Sequence, residues 1–203
     1  MRSPRAPKAG LSNGVRSNAV FLVGFMGAGK SSVGRALARC LNWIFEDLDD
    51  RIERREGRTV AEIFRDSGEA EFRRAERAAL KQVLDEQRGG VARIVALGGG
   101  AFVHKDNAAL LKARGVPTVF LNAAVEELWR RCCAQASRSG TERPLLRSED
   151  EFRKLYASRR RSYLKASLKV DTGSRAVEAV AAKIVERLKL KEIGLRTEEG
   201  ESE

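Results

Sequence analysis

An α/β fold, a parallel sheet covered by helices on both faces, is predicted by three observations. Short apolar runs alternate with longer amphipathic ones from residue 19 onward, the pattern of strands joined by crossover helices. The run AVFLV leads into GFMGAGKSS at 24–32, which satisfies the phosphate-loop spacing G-x-x-x-x-G-K-[ST] with a strand before it and a helix after it. The 203 residues, 42% of them hydrophobic, fit one ordinary domain with a proper core.

The elements follow in chain order. AVFLVG is short and apolar, a buried strand. KSSVGRALARCL repeats apolar residues at Val33, Leu37 and Leu41, one face of a helix. WIFED is a second strand, and LDDRIERREG a helix stopped by Gly57. TVAEIFRDSG is another short helix, with Thr59 and Glu62 spaced as a capping box and Gly68 as its stop. EAEFRRAERAALKQVLDEQ sets Phe72, Ala75, Ala79, Leu80 and Val83 on one helical face. ARIVALGGG is a strand entering a glycine cluster, and DNAALLKARG is helical. PTVFLN is a strand, AAVEELWRRCCAQA a helix, SRSGTERPLL a basic loop and SEDEFRKLYASRRRSYLKA a charged helix. LKVDTG is the last strand and SRAVEAVAAKIVERLKL the last helix. The globular domain is expected over 19–190. Residues 1–18 carry four basic residues and no acid, without an apolar stripe, so they are expected to form a disordered basic arm. They lack the central apolar run of a secretory signal; a short transit segment is the alternative. Residues 191–203 form an acidic flexible tail.

Composition narrows the function. No apolar run approaches the roughly 18–20 residues of a membrane helix, which points to a protein with no membrane role, placed in the cytoplasm. Cys40, Cys132 and Cys133, with the single His104, make neither a disulfide framework nor a zinc site. The net charge of +11 fits either a polyanion binder or an enzyme for small, highly anionic substrates. A nucleic-acid binder calls for a basic stripe and stacking aromatics. Here arginines interleave with acids, as in EAEFRRAER, and only 6% of residues are aromatic.

The phosphate loop carries its own chemistry. Gly24, Gly27 and Gly29 allow a tight turn that aims N–H groups at phosphate oxygens, with the helix N-terminus behind them. Gly27, Ala28, Gly29, Lys30, Ser31 and Ser32 are the candidate ATP contacts. Ser32 also fits as a plain first-turn helix residue. Lys30 reaches the outer phosphates, and the Ser31 hydroxyl suits Mg²⁺. The strand RIVAL ends in glycines rather than an acid, so the carboxylate on the metal side comes from elsewhere. Asp47 and Asp49 lie after the second strand, at the carboxyl edge where α/β ligands bind. One can order metal-bound water and the other can accept a hydrogen bond from an acceptor hydroxyl. Alternatively both only cap the next helix, a role that Asp50 fits well.

GFMGAGKSSVGRALA, DLDDRIE, GRTVAEIFRDSGEAEFRRAE, LGGGAF, ERPLL and SRRRSYLKAS occur in the order and spacing of shikimate kinases. The chain resembles that family over about residues 19 to 190. The resemblance implies a three-layer α/β/α P-loop kinase fold with about five parallel strands, flanking helices and a mobile lid at about 136–147. It implies phosphorylation of the 3-hydroxyl of shikimate by ATP with Mg²⁺, within aromatic amino acid biosynthesis. ATP and shikimate are then the partners of a monomeric enzyme that binds no nucleic acid. Asp49 matches the aspartate that contacts the acceptor hydroxyl, and Asp47 the one that orders water on Mg²⁺. Arg73, Arg159 and the Gly98, Gly99 and Gly100 backbone match the shikimate-binding groups. Arg143 matches the lid arginine that closes over the phosphates, so the catalytic set is Lys30, Asp49 and Arg143.

The residue chemistry supports these roles separately. A substrate carboxylate calls for arginine forks, and Glu76, three residues beyond Arg73, can hold its guanidinium. Taken alone, Arg73 also fits a surface salt bridge. An aspartate with an ordinary pKa near ~3.9 is a weak base for an alcohol, so Asp49 is expected to align the hydroxyl first and take its proton late. Phe64 and Phe72 are either walls of the site or core. The arginine on adenine is Arg131 or Arg138. Arg160 and Arg161 compete with Arg159, and the lid segment is longer than the usual family pattern. A related kinase for another hydroxy acid or polyol, such as gluconate, is the enzymatic alternative.

Overall fold

The computed structural model describes residues 18–87, 90–139 and 148–192. Five strands, β1 (Ala19–Val23), β2 (Ile44–Asp47), β3 (Arg93–Ala96), β4 (Thr118–Asn122) and β5 (Leu168–Asp171), form one sheet in the order β2-β3-β1-β4-β5. Every neighbouring pair is parallel. The central strands are covered on both faces, which is why β1 and β3 are continuous apolar runs with every residue but Arg93 apolar and all buried. The edge strands are partly open to solvent: β5 alternates apolar and polar residues, and β2 runs from apolar Ile44 and Phe45 into Glu46 and Asp47.

Seven α-helices connect and flank these strands among the described residues: α1 (Lys30–Leu41), α2 (Leu48–Glu56), α3 (Val60–Glu86), α4 (Lys105–Ala113), α5 (Val125–Ser139), α6 (Glu149–Tyr163) and α7 (Val177–Leu188). Val33, Leu37 and Leu41 are buried along α1, which packs on α7 and β3. The expected apolar face of α3 is also in the core: Phe72, Ala75, Ala79, Leu80 and Val83 are all buried. The Thr59–Glu62 capping box is present.

The two helices expected on either side of Gly68 are both present and meet at a kink inside α3, where Gly68 leaves the helical geometry with φ 79° and ψ 174°; a glycine accepts this conformation without a Cβ clash. One detail corrects the sequence reading. The cap of α2 is Asp47, whose side chain accepts the Asp49 N–H, and Asp50 lies inside the first turn. The start of the expected lid, 136–139, belongs to α5. The rest, 140–147, lies outside the described residues, as do the arm up to 17 and the tail from 193. No helix among the described residues is long and apolar enough to cross a membrane.

The topology opens a crevice. From β1 the chain moves to β2 at one edge and returns to β3. It then crosses to β4 and β5 on the other side. Loops leaving the carboxyl ends of strands separate at such a reversal, and ligands bind there. The loops after β1 and β3 contain the phosphate loop and Gly98–Gly100, and the direct junction of β2 with α2 carries Asp47 and Asp49.

Candidate active site

The phosphate loop is held in shape by its own chain. Lys30 Nζ donates to the carbonyl oxygens of Gly24 at 3.0 Å and Phe25 at 3.1 Å, so the ammonium folds back over the loop. Ser31 Oγ donates to Asp47 Oδ2 at 3.0 Å, while Asp47 Oδ1 accepts the Asp49 N–H at 3.2 Å. One aspartate thus links the start of α1 to the start of α2. From the far side, the buried Thr172 hydroxyl lies 3.3 Å from the Ala28 carbonyl and 3.2 Å from that of Asn122. Arg131 donates to the carbonyls of Gly27 at 3.5 Å and Thr172 at 2.7 Å, and also to that of Gly173. The nucleotide side is therefore tied to the β5–α7 loop.

Across the crevice, Asp49 sits in the first turn of α2 with Oδ1 shut off from solvent and without a hydrogen-bond partner. Burial, and then the neighbouring Asp47 carboxylate, push its pKa up to about 6; Lys30 pulls the other way. This corrects the expectation of an ordinary aspartate. A carboxylate with a pKa near about 6 is a better proton acceptor than one near about 4. A Cβ at Gly98 would stand 2.7 Å from Asp49 Oδ1, so a larger residue there would push that carboxylate aside. A Cβ at Gly100 would stand 2.9 Å from Arg73 Nη1 and would displace the guanidinium.

Arg73 is not a simple surface pair. It donates to the buried Glu76 carboxylate at 3.2 Å and to Glu69 at 3.0 Å, and its guanidinium lies 5.1 Å from the Phe72 ring centre. Glu76 is 1% exposed. Its burial pushes its pKa up to about 7 against the opposing pull of Arg73. Arg159 lies 3.7 Å from the Cβ position of Gly99 and 5.8 Å from the Phe25 ring centre.

The phosphate loop, Asp47, Asp49, Arg73, Glu76 and Arg159 share one cleft of about 750 Å³. Of the expected site residues, Gly27, Gly29, Lys30, Ser31, Ser32, Asp47, Asp49, Arg73, Gly98, Gly99, Gly100 and Arg159 face it. Ala28 is buried behind the loop and does not line the cleft. Arg143 falls outside the described residues. Arg131 lines the cleft, whereas the Arg138 side chain is outside the described residues. Phe64 and Phe72 both form wall, Phe72 being core as well, with ring centres 4.5 Å apart. Arg160 and Arg161 are not among the lining residues.

Three contributors are absent from the sequence reading. Glu69 is the second acid on Arg73, at the i,i+4 spacing that could have signalled it. Tyr163, one turn beyond Arg159, donates its hydroxyl to the Gly99 carbonyl. Asn107 donates to Glu76 and to the Ala101 carbonyl, and no local pattern marks it.

The sequence model of the family described as shikimate kinase matches residues 26–189. The chain is 43% identical over 168 residues to a shikimate kinase of Geobacter metallireducens, covering 81% of this chain and 88% of that one. It is 42% identical over 172 residues to a shikimate kinase of Thermus thermophilus, covering 83% and 89%. The structure of shikimate kinase from Acinetobacter baumannii in complex with shikimate superposes with a TM-score of 0.74 at 34% identity, covering 84% of this chain and 92% of that one. A gluconokinase from Sinorhizobium meliloti shares the fold only, with a TM-score of 0.50 at 16% identity.

Proposed function

The chain belongs to the shikimate kinase family, and from that premise we propose that Lys30, Asp49 and Arg143 carry the transfer of the γ-phosphoryl group of ATP to the 3-hydroxyl of shikimate. The enzyme is a small-molecule kinase of aromatic amino acid biosynthesis, yielding shikimate 3-phosphate and ADP. The observation that carries the site assignment is one cleft with a phosphate loop on one wall and, on the other, an unpartnered buried carboxylate oxygen between glycines and two arginines. That second wall suits a small hydroxylated carboxylate. Arg73 and Arg159 take the carboxylate, where a charge-assisted hydrogen bond is worth ~1.5–3 kcal/mol. The Gly98–Gly100 turn and Asp49 take hydroxyls.

In the reaction the acceptor oxygen forms a bond to the γ-phosphorus as the bond from that phosphorus to the β,γ-bridging oxygen breaks. The electron pair leaves with ADP. The hydroxyl proton passes to Asp49, which is largely ionised above about pH 6. Alignment by Asp49 comes first, since phosphoryl transfer rests mainly on positioning and electrostatics. Lys30 exchanges its loop carbonyls for phosphate oxygens, and Arg143 adds positive charge from the lid. Ser31 and Asp47 are hard oxygen donors 3.0 Å apart, which fits Mg²⁺ held by the serine hydroxyl and, through water, by Asp47. When bound, Mg²⁺ supplies charge neutralisation at the phosphates. The reading extends to a monomer working in the cytoplasm.

A coupled ADP-release assay with Mg²⁺, run with shikimate, with gluconate and without acceptor, tests the proposal. ADP release that depends on shikimate is the expected result. Equal turnover with gluconate would transfer the assignment to the polyol alternative.

A further inference from the structure

We infer that Asn107 is a positioning residue for the acceptor side of the cleft: its side-chain amide joins the Glu76 carboxylate to the end of the glycine turn and so sets where Arg73 presents its guanidinium. The inference rests on reading Arg73 as the acceptor-carboxylate fork. Asn107 lies in the first turn of α4 and is 3% exposed. Its Nδ2 donates to the Ala101 carbonyl at 3.1 Å and to Glu76 Oε2 at 3.5 Å, one N–H for each. Ala101 directly follows the glycine turn and donates its own N–H to the Gly98 carbonyl at 3.0 Å. Glu76 holds Arg73 from below, while Gly100 stands against the face of the same guanidinium. One amide therefore spans the two structures that confine Arg73.

A residue needed only for packing at this place would be apolar. A buried amide costs free energy unless both of its N–H groups are used, and here both are. The groups facing Glu76 come from four elements: Arg73 from α3 itself, Asp49 from α2, Arg159 from α6 and Asn107 from α4. Glu76 grips Arg73 only when ionised, and burial already opposes that state. A neutral donor aimed at the carboxylate favours the ionised form. Without it, Glu76 protonates at higher pH, and Arg73 loosens as it does so.

The test is steady-state kinetics of Asn107→Leu, Asn107→Asp and Asn107→Ser with ATP and shikimate between about pH 6 and pH 9, with Arg73→Lys as control. The expected result is a shikimate KM raised roughly ten-fold in Asn107→Leu and more in Asn107→Asp, the scale of a lost hydrogen bond to a charged group. The ATP KM stays within about two-fold in each. The Asn107→Leu defect should shrink as pH rises, because Glu76 then ionises without its donor. Asn107→Ser, which keeps one donor, should fall between wild type and Asn107→Leu. An unchanged shikimate KM, an equal rise in both KM values or a defect independent of pH would overturn the inference. So would failure of all three variants to fold, which would make Asn107 a residue of folding alone. If Arg73→Lys also leaves the shikimate KM unchanged, the site assignment itself fails. If Arg73→Lys raises it and the Asn107 variants do not, only the role of Asn107 fails.

Discussion

One loop of nine consecutive residues, 24–32, forms the base of the phosphate side, joined by Asp47 and Arg131, whereas the acceptor side draws Asp49 from α2, Arg73 from α3, the Gly98–Gly100 turn after β3 and Arg159 from α6 with no such continuous segment. The two sides also differ in how their polar groups are satisfied. On the phosphate side Lys30 rests on loop carbonyls and Ser31 on Asp47. On the acceptor side, one carboxylate oxygen of Asp49 has no partner, and both Asp49 and Glu76 are held above the usual carboxylate range. A contiguous loop can be stable before its ligand arrives because backbone groups close on each other. A site assembled from four elements stores unfavourable burial that the rest of the fold must offset.

The largest effect should come from Asp49→Asn. It should lower kcat by roughly 10³-fold, within the range for loss of a general base, while nucleotide affinity measured by calorimetry stays near wild type. A comparable loss of nucleotide affinity would dissolve the distinction between the two sides. Arg143→Ala should lower kcat by roughly 10²-fold, the scale of one lost charge-stabilising donor, with a smaller effect on shikimate binding. A pure KM effect would make Arg143 a substrate clamp.

Arg73→Lys should raise the shikimate KM by roughly ten-fold or more through loss of the fork, leaving the ATP KM unchanged. In the wild type, kcat/KM for shikimate should fall as pH drops from about 7 through 6, as Glu76 and then Asp49 take up protons. With both acids needed ionised, the fall should approach ten-fold per unit between the two values and steepen toward about a hundred-fold per unit below the lower one. A profile flat down to about pH 5 would show that neither acid acts ionised.

The smallest effect concerns stability. Folding raises the pKa of Asp49 from 3.8 to about 6, so its ionised form destabilises the fold above about pH 6. That cost fades as pH falls through 6 toward the unfolded value. Asp49→Asn should therefore be more stable than wild type by about 1–3 kcal/mol near pH 7.5, with the gap closing near pH 4. Urea melts at the two pH values check this. An Asn variant less stable at the higher pH would contradict the view of the acceptor side as a store of unfavourable burial.

Legibility in the sequence divided along the same line. The order of strands and helices was readable because apolar period and glycine stops are local. The phosphate loop was readable because its residue spacing and its chemistry are the same thing. Arg73 could be placed opposite Glu76 by helical spacing, but Arg73 stayed ambiguous between a surface pair and a ligand fork until the family resemblance was used. The burial of Glu76, with the Phe72 ring and Gly100 beside Arg73, shows that Arg73 is packed at the cleft rather than paired on the open surface; its role as a fork is the proposal that Arg73→Lys tests. Asp47 was one of two aspartates with several open roles. Only its simultaneous bonds to Ser31 and to the α2 N-terminus distinguish it.

By itself, then, the sequence determined the α/β class, the phosphate loop and the set of charged residues available to the cleft, since periodicity, turn chemistry and loop spacing act over a few residues. Tertiary structure alone decided the raised pKa of Asp49, the partner held by Asn107, the Tyr163 bond to Gly99 and the choice of Arg159 over its neighbours to face the cleft. Desolvation and long-range charge depend on which distant elements come to lie within a few ångströms of one another. No local pattern records that.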